Sequence, residues 1–318
     1  MKYLLIIPVI ALIIALYAAI SYICFRMAIV RRKQKNYFDY QLEKTFYRPY
    51  AEDMYKGFSW LASQNAEELE IISSDGLRLR ASLIRKECAR GTVILFHGYR
   101  SLPELDFSCV LETLSSLGMN LVLVNQRSHG KSEGKYIGFG IPERDDCLRW
   151  IDKVNEVLGS SLPLYIEGLS MGATTVMMAA DADMPDNLCG IIADCGFTSP
   201  YEIISSVIKK DYHIPPLLIA PAINAWCRAL AGFDLRSRSV TETLSRTSLP
   251  LLLIHGKADL FVPFSMGEAA YRACASSDKT FIAVDGAGHG ESYFKDREAV
   301  TEAISSFFTR TSLHLSVR

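Results

Sequence analysis

The 318 residues carry 34 Lys plus Arg against 35 Asp plus Glu, a formal net charge of −1, so no overall basic field is available to hold a nucleic-acid backbone. The length suits one large α/β domain or two smaller ones. Cys24, Cys88, Cys109, Cys147, Cys189, Cys195, Cys227 and Cys274 form no CxxC pair and no His/Cys cluster at zinc spacing, so they read as small apolar fillers in a reducing compartment, and neither metal nor organic cofactor is expected.

From Tyr3 to Phe25 no residue is charged, and about 20 such residues in a helix span the roughly 30 Å hydrocarbon layer of a bilayer. Residues 1–25 are therefore expected to be a transmembrane anchor. A secretory signal peptide is the alternative, but its apolar region runs about 7 to 15 residues behind a charged leader, and the leader here is Met1 and Lys2 alone. Arg26, Arg31, Arg32, Lys33 and Lys35 follow the run; positive charge stays on the cytoplasmic side, which predicts a single-pass protein with its folded part in the cytoplasm. Residues 26–65 form a juxtamembrane segment rich in aromatics, among them Tyr37, Phe38, Tyr40, Phe46, Tyr47, Tyr50, Tyr55, Phe58 and Trp60. These either sit at headgroup level or pack a helix on the main domain, and the packing reading is preferred.

A domain over residues 66–310 follows. Glu68–Ile72 and Leu77–Ile84 flank Ser73-Ser74-Asp75-Gly76, a hairpin signal. Continuously apolar runs at Thr92–Phe96, Asn120–Val124, Leu164–Ile166, Gly190–Ala193, Leu251–Ile254 and Phe281–Val284 suit strands buried on both faces. Between them Glu104–Leu117, Glu143–Leu158, Ala173–Ala180, Ser265–Cys274 and Arg297–Phe308 have helical period. Alternating strands and helices predict a mostly parallel, doubly wound sheet with its chemistry at the carboxyl ends of the strands. Residues 199–249 interrupt the pattern and 311–318 form a tail.

At one strand end stands Gly168-Leu169-Ser170-Met171-Gly172, followed by an Ala-rich helix. A strand reversing sharply into a helix strains the serine backbone, and glycine on either side leaves room for the close approach. Ser170 is thus the candidate nucleophile. A serine hydroxyl needs a base, and six histidines are available. His97 and His255 lie at strand ends before glycine and His129 in a turn, places suited to shaping loops; His213 is in the most irregular stretch and His314 in the tail. His289, in Gly286-Ala287-Gly288-His289-Gly290 directly after the last strand, is the candidate base. A Gly-rich phosphate loop is the competing reading, but the spacing is not GxGxxG. A carboxylate must orient the imidazole and stabilise its cation. Asp259, on the loop after Leu251–Ile254, is preferred over Asp194, at the end of the preceding strand.

The set His97-Gly98-Tyr99-Arg100, Arg127-Ser128-His129-Gly130-Lys131-Ser132, Gly168–Gly172, His255-Gly256 through Asp259 and Gly288-His289-Gly290 resembles the α/β-hydrolase superfamily. More narrowly, it is similar to the monoacylglycerol-lipase-like and serine-aminopeptidase-like hydrolases and their membrane-anchored bacterial relatives. The resemblance implies an eight-stranded, mostly parallel sheet with helices on both faces, a small cap at about residues 199–249, and an oxyanion hole from the backbone N–H groups of Tyr99 and Met171. Two positions depart from the pattern, which in these relatives reads Asp-x-Arg-Gly-His-Gly: Asn125 stands in place of the aspartate and Ser128 in place of a structural glycine.

Together these features predict a serine hydrolase that cleaves a carboxylic ester, of a lipid or another small acyl substrate, with an amide or peptide hydrolase as the enzymatic alternative. A membrane-tethered binding module without catalysis is the third reading, and the complete Ser-Asp-His set argues against it.

Overall fold

A computed structural model describes residues 2–32 and 47–312. Lys33, Lys35, Tyr37, Phe38, Tyr40, Phe46 and the tail from residue 313, with His314, lie outside the described residues. The elements in chain order are α1 (Lys2–Ile29), α2 (Ala51–Ala62), β1 (Ala66–Ile72), β2 (Arg78–Ile84), β3 (Gly91–Phe96), α3 (Pro103–Asp106), α4 (Ser108–Ser116), β4 (Met119–Asn125), α5 (Ile141–Leu158), β5 (Leu164–Leu169), α6 (Met171–Ala179), β6 (Leu188–Asp194), α7 (Pro200–Asp211), α8 (Pro216–Trp226), α9 (Val240–Leu244), β7 (Leu251–Gly256), α10 (Phe264–Ala273), β8 (Lys279–Val284), α11 (Ser292–Lys295) and α12 (Arg297–Ser312).

The strands form one eight-stranded sheet in the order β1-β2-β4-β3-β5-β6-β7-β8. The Asp-Gly turn closes the β1–β2 hairpin, with Gly76 at φ 86°. β2 also meets β4 antiparallel, and all later pairings are parallel. Because successive strand residues face opposite sides, the apolar runs serve two cores. Ile94, Val122 and Ile166 pack with Trp150 of α5 and Val176 of α6 on one face. Val93, Leu121 and Tyr165 pack with Leu111 of α4 and Phe307 of α12 on the other.

Helix boundaries show where periodicity misleads. The single helix expected over Glu104–Leu117 breaks at Phe107 into α3 and α4. α5 starts earlier than expected because Gly140, at φ 101°, ends the preceding loop and Glu143 accepts the N–H groups of Gly138 and Gly140 at 2.8 and 2.9 Å. α12 runs past residue 310, and its buried Thr311 contacts the Tyr165 hydroxyl at 3.0 Å. Most described juxtamembrane aromatics pack on the body: Tyr47 is buried, Tyr50 stacks on Phe294 at 4.3 Å, and Trp60 joins the second core, whereas Tyr55 is exposed. Ile6–Ile29 is long and apolar enough to cross a membrane. The same helix continues past Phe25, and both Phe25 and Ile29 are buried against the body. The cap consists of α7, α8, a π-helical turn at Cys227–Ala231, and α9, between β6 and β7.

Candidate active site

Ser170 occupies the single residue between β5 and α6, at φ 56° and ψ −111°. A non-glycine backbone in such a region costs of order 1–3 kcal/mol and persists only where its surroundings over-determine it. Here they do: the Ser170 N–H donates to Asp194 O at 2.8 Å, and Ser170 O accepts from Thr174 N at 3.0 Å. The flanking glycines let the two arms of the turn close. A Cβ on Gly172 would fall 1.7 Å from Phe96 O, and one on Gly168 would fall 2.2 Å from the Gly172 carbonyl carbon. Both obstacles are backbone, which cannot rotate away. Gly172→Ala is therefore expected to lower unfolding free energy by about 3 kcal/mol or more, read by denaturant titration; a loss under about 1 kcal/mol would mean that the turn is looser than described.

The structure brings Ser170, His289 and Asp259 together. His289 Nε2 lies 2.9 Å from Ser170 Oγ, and His289 Nδ1 lies 2.7 Å from Asp259 Oδ2. The other carboxylate oxygen, Oδ1, accepts from the N–H groups of Phe261 and Val262 at 2.8 and 2.9 Å. Burial works to raise the Asp259 pKa, but hydrogen bonds and charge from His255 and His289 outweigh it and hold the carboxyl well below the usual carboxylate range. The rival Asp194 instead accepts from Ser292 Oγ at 3.1 Å. His255 makes contacts the sequence did not reveal: its Nε2 lies 3.4 Å from Asp259 Oδ2 and 3.1 Å from Val262 O, so it braces the Asp259 carboxylate.

The loop opposite Ser170 is built on two of the histidines expected to be structural. His97 Nε2 accepts from Gln126 N at 3.1 Å, and its Nδ1 lies 2.8 Å from Gly98 O. Burial lowers the His97 pKa to about 4, so it stays neutral. His129 Nε2 accepts from Arg100 N at 3.0 Å, and Asp106 Oδ2 accepts from Gly98 N at 2.6 Å. These bonds hold Gly98 against Ser170, where an added Cβ would lie 3.3 Å from Ser170 Cβ. Tyr99 follows at the pocket rim, and Met171 opens α6, where N–H groups have no intrahelical partner. The neighbouring turn keeps its shape despite Ser128, which takes φ 65° itself and donates its hydroxyl to Tyr136 O at 2.7 Å.

Beneath the turn, Glu167 and Asp194 line one small, mainly apolar cavity. Burial and then the Asp194 charge push Glu167 up to about 8, and Glu167 Oε2 has no hydrogen-bond partner among the described residues. Because the unfolded value is about 4.3, the folded chain keeps a proton that the unfolded chain has lost. This contribution therefore weakens stability as pH rises from about 4.3 toward 8. Glu167→Gln is expected to raise Tm relative to the parent by an increment that grows between pH 5 and pH 8; an increment constant with pH would contradict the assignment.

Cys195, Asp259 and His289 also offer ligand atoms within 4.8 Å of one another. Burial keeps the Cys195 thiol protonated, and Asp259 Oδ2 is committed to His289. The donor set therefore does not fit a metal, which requires thiolate and free lone pairs.

Ser170 opens into a cavity of about 370 Å³, within the range of small-molecule sites. Phe139, Phe197, Ile204, Ile208 and Ile223 supply apolar walls, and Arg32 and Arg100 are its charged residues; among the described residues that line it there is no carboxylate.

Comparisons with known proteins agree with this architecture. The family described as "Serine aminopeptidase, S33" matches residues 87–210, and that described as "TAP-like protein" matches residues 222–315. Protein YqkD of Bacillus subtilis is 26% identical over 237 residues, covering 74% of this chain and 77% of that protein. The lysophosphatidylserine lipase ABHD12 of Danio rerio is 28% identical over 171 residues, which is 52% of this chain and 42% of the fish protein. Among solved structures, a Pyrococcus furiosus esterase superposes with a TM-score of 0.65 at 21% identity, covering 81% of this chain and 94% of its own.

Proposed function

The chain is a member of the α/β-hydrolase superfamily, and from that premise we propose that it is a serine hydrolase that cleaves carboxylic esters of lipids or other acyl compounds. Ser170 Oγ attacks the acyl carbonyl while His289 Nε2 takes its proton. Asp259 steadies the imidazolium through Nδ1, and the amides of Tyr99 and Met171 receive the oxyanion. Collapse breaks the ester C–O bond, with His289 returning the proton to the departing alcohol. Water then attacks the acyl-serine by the same base and releases the carboxylic acid. The observation that carries this reading is the unbroken hydrogen-bonded chain from Ser170 through His289 to Asp259 at a positive-φ turn.

An amide-hydrolysing reading draws on the family description "Serine aminopeptidase, S33". The pocket favours esters: an aminopeptidase must hold a substrate ammonium group, and the described lining offers arginines and no carboxylate. Assay of p-nitrophenyl esters of rising chain length beside an aminoacyl p-nitroanilide tests the choice. Ester kcat/KM is expected to exceed amide kcat/KM by at least about a hundredfold, the size of effect that an unmatched charge in the pocket produces; amide turnover above ester turnover would promote the peptidase.

The same proposal includes retention of α1 as a membrane anchor with the body on the cytoplasmic side. The mutual burial of Phe25 and Ile29 with the body supports retention over cleavage as a signal sequence. Protease added to intact cells is expected to spare the body, and its digestion would reverse the orientation.

A further inference from the structure

α1 divides into two halves that differ in what they touch. Apolar side chains from Ile6 to Leu16 project from the body and are between 47% and 72% exposed. From Tyr17 onward the helix is fastened down. The Tyr17 hydroxyl donates to Leu218 O at 2.7 Å, and Trp226 Nε1 donates to Ser21 Oγ at 3.1 Å, tying α1 to both ends of α8. At the helix end and just past it, Ile137 N donates to Ile29 O and Arg31 N to Lys135 O, both at 2.8 Å. The Arg31 guanidinium donates to Ser132 O and Gly130 O at 2.6 and 2.7 Å. The loop opposite Ser170 joins the fastening: the Tyr99 hydroxyl donates to Ala28 O at 2.6 Å and Arg100 to Met27 O at 2.5 Å. Cys24, Met27, Ala28 and Arg32 thereby face the same cavity as Ser170.

Length now restricts where the body sits. The fourteen residues Tyr3–Leu16 cover about 21 Å at 1.5 Å per residue, roughly two thirds of a hydrocarbon layer about 30 Å thick. A bilayer-crossing α1 must find the remaining third in the stretch from Tyr17 on, where α8 lies beside it. α8 is suited to that depth. Ile214 to Cys227 contains no charged residue, and Leu217 and Leu218 are 80% and 56% exposed. A helix that presents such side chains to water would pay for their hydration; in acyl chains it does not.

We propose that the second half of α1 is a wall of the acyl-binding pocket, and that α8 is immersed in the near leaflet from which the acyl chain of a membrane ester enters. This rests on the ester-hydrolase reading and adds its access route. Cys24, Met27 and Ala28 contact the acyl chain, making the anchor a determinant of chain-length specificity. The leaflet, through Leu217 and Leu218, covers the exposed face of α8.

The test uses the full chain in phosphatidylcholine nanodiscs. Met27→Trp and, separately, Cys24→Trp are expected to lower the ratio of kcat/KM for p-nitrophenyl dodecanoate to that for p-nitrophenyl acetate at least tenfold. Fluorophosphonate labelling of Ser170 reports that each variant is folded. A ratio unchanged in both labelled variants would overturn the wall. For the leaflet, Leu217→Glu/Leu218→Glu is expected to cut hydrolysis of monododecanoyl glycerol embedded in phosphatidylcholine vesicles at least tenfold while p-nitrophenyl acetate hydrolysis is unchanged. Should the glutamate pair lose labelling, Leu217→Ala/Leu218→Ala supplies the same reading with a smaller loss. Unchanged vesicle hydrolysis in a labelled variant would overturn the immersion, as would conversion of a dimer to a monomer by the pair with vesicle hydrolysis intact. Absence of Ser170 labelling in the parent chain would instead strike the hydrolase reading itself.

Discussion

Ser170→Ala is expected to lower kcat/KM for p-nitrophenyl butyrate by about 10⁵-fold or more, leaving only what binding and oxyanion stabilisation supply without a nucleophile. The fold should survive. The Ser170 backbone bonds to Asp194 O and Thr174 N do not involve the hydroxyl, and alanine meets the same strain at φ 56° as serine does. The hydroxyl lost is the one that contacts His289 Nε2. A Tm within a few degrees of the parent, together with collapse of turnover, separates a chemical role from a structural one. Turnover within tenfold of the parent would place the chemistry elsewhere.

The second large effect concerns the acid. Asp259→Asn is expected to reduce kcat about 10⁴-fold, because an amide at this position neither fixes the His289 tautomer nor offsets the imidazolium charge. Phe261 and Val262 can still donate to the amide oxygen, so the loop that both backbone N–H groups define is expected to hold. Asp194→Asn should cost less than tenfold. Its side chain accepts from Ser292, and its contact with Ser170 runs through the backbone carbonyl, which the substitution leaves in place. Comparing kcat for the two variants, each checked by Tm, decides the assignment; the reverse ranking would exchange their roles.

Much of this arrangement was legible in the sequence because local patterns coincide with the elements that position the site. All six apolar runs after the hairpin fall within observed strands, but β8, at the sheet edge, is only half-buried rather than covered on both faces. The Gly-x-Ser-x-Gly turn declares itself because backbone clashes leave no alternative at Gly168 and Gly172. His289 and Asp259 could be selected because each follows a strand on the carboxyl edge. What could not be read comes from contacts between distant segments. The brace from His255 to Asp259 depends on the path of the loop between them, and the hold of Asp106 on Gly98 depends on a helix that breaks at Phe107. Ser128 in place of glycine gave no local sign that the backbone would accept φ 65°.

The largest gap is α1. Its apolar residues run all round the helix, so periodicity names no face. Hydropathy alone makes it a tether, yet its second half joins the cap and lines the cavity at Ser170. Its partners Tyr99, Tyr136 and Trp226 are each at least 71 residues from the groups they meet, Ala28, Phe25 and Ser21. Only the folded chain reveals such contacts.

The most direct measurement is intact-protein mass spectrometry of the full chain after brief exposure to a fluorophosphonate, followed by peptide mapping. One adduct on the peptide that contains Ser170, absent from Ser170→Ala and strongly slowed in His289→Ala, is the predicted result. Adduct formation that persists in Ser170→Ala, or none in the parent chain, would contradict a Ser170 nucleophile activated by His289.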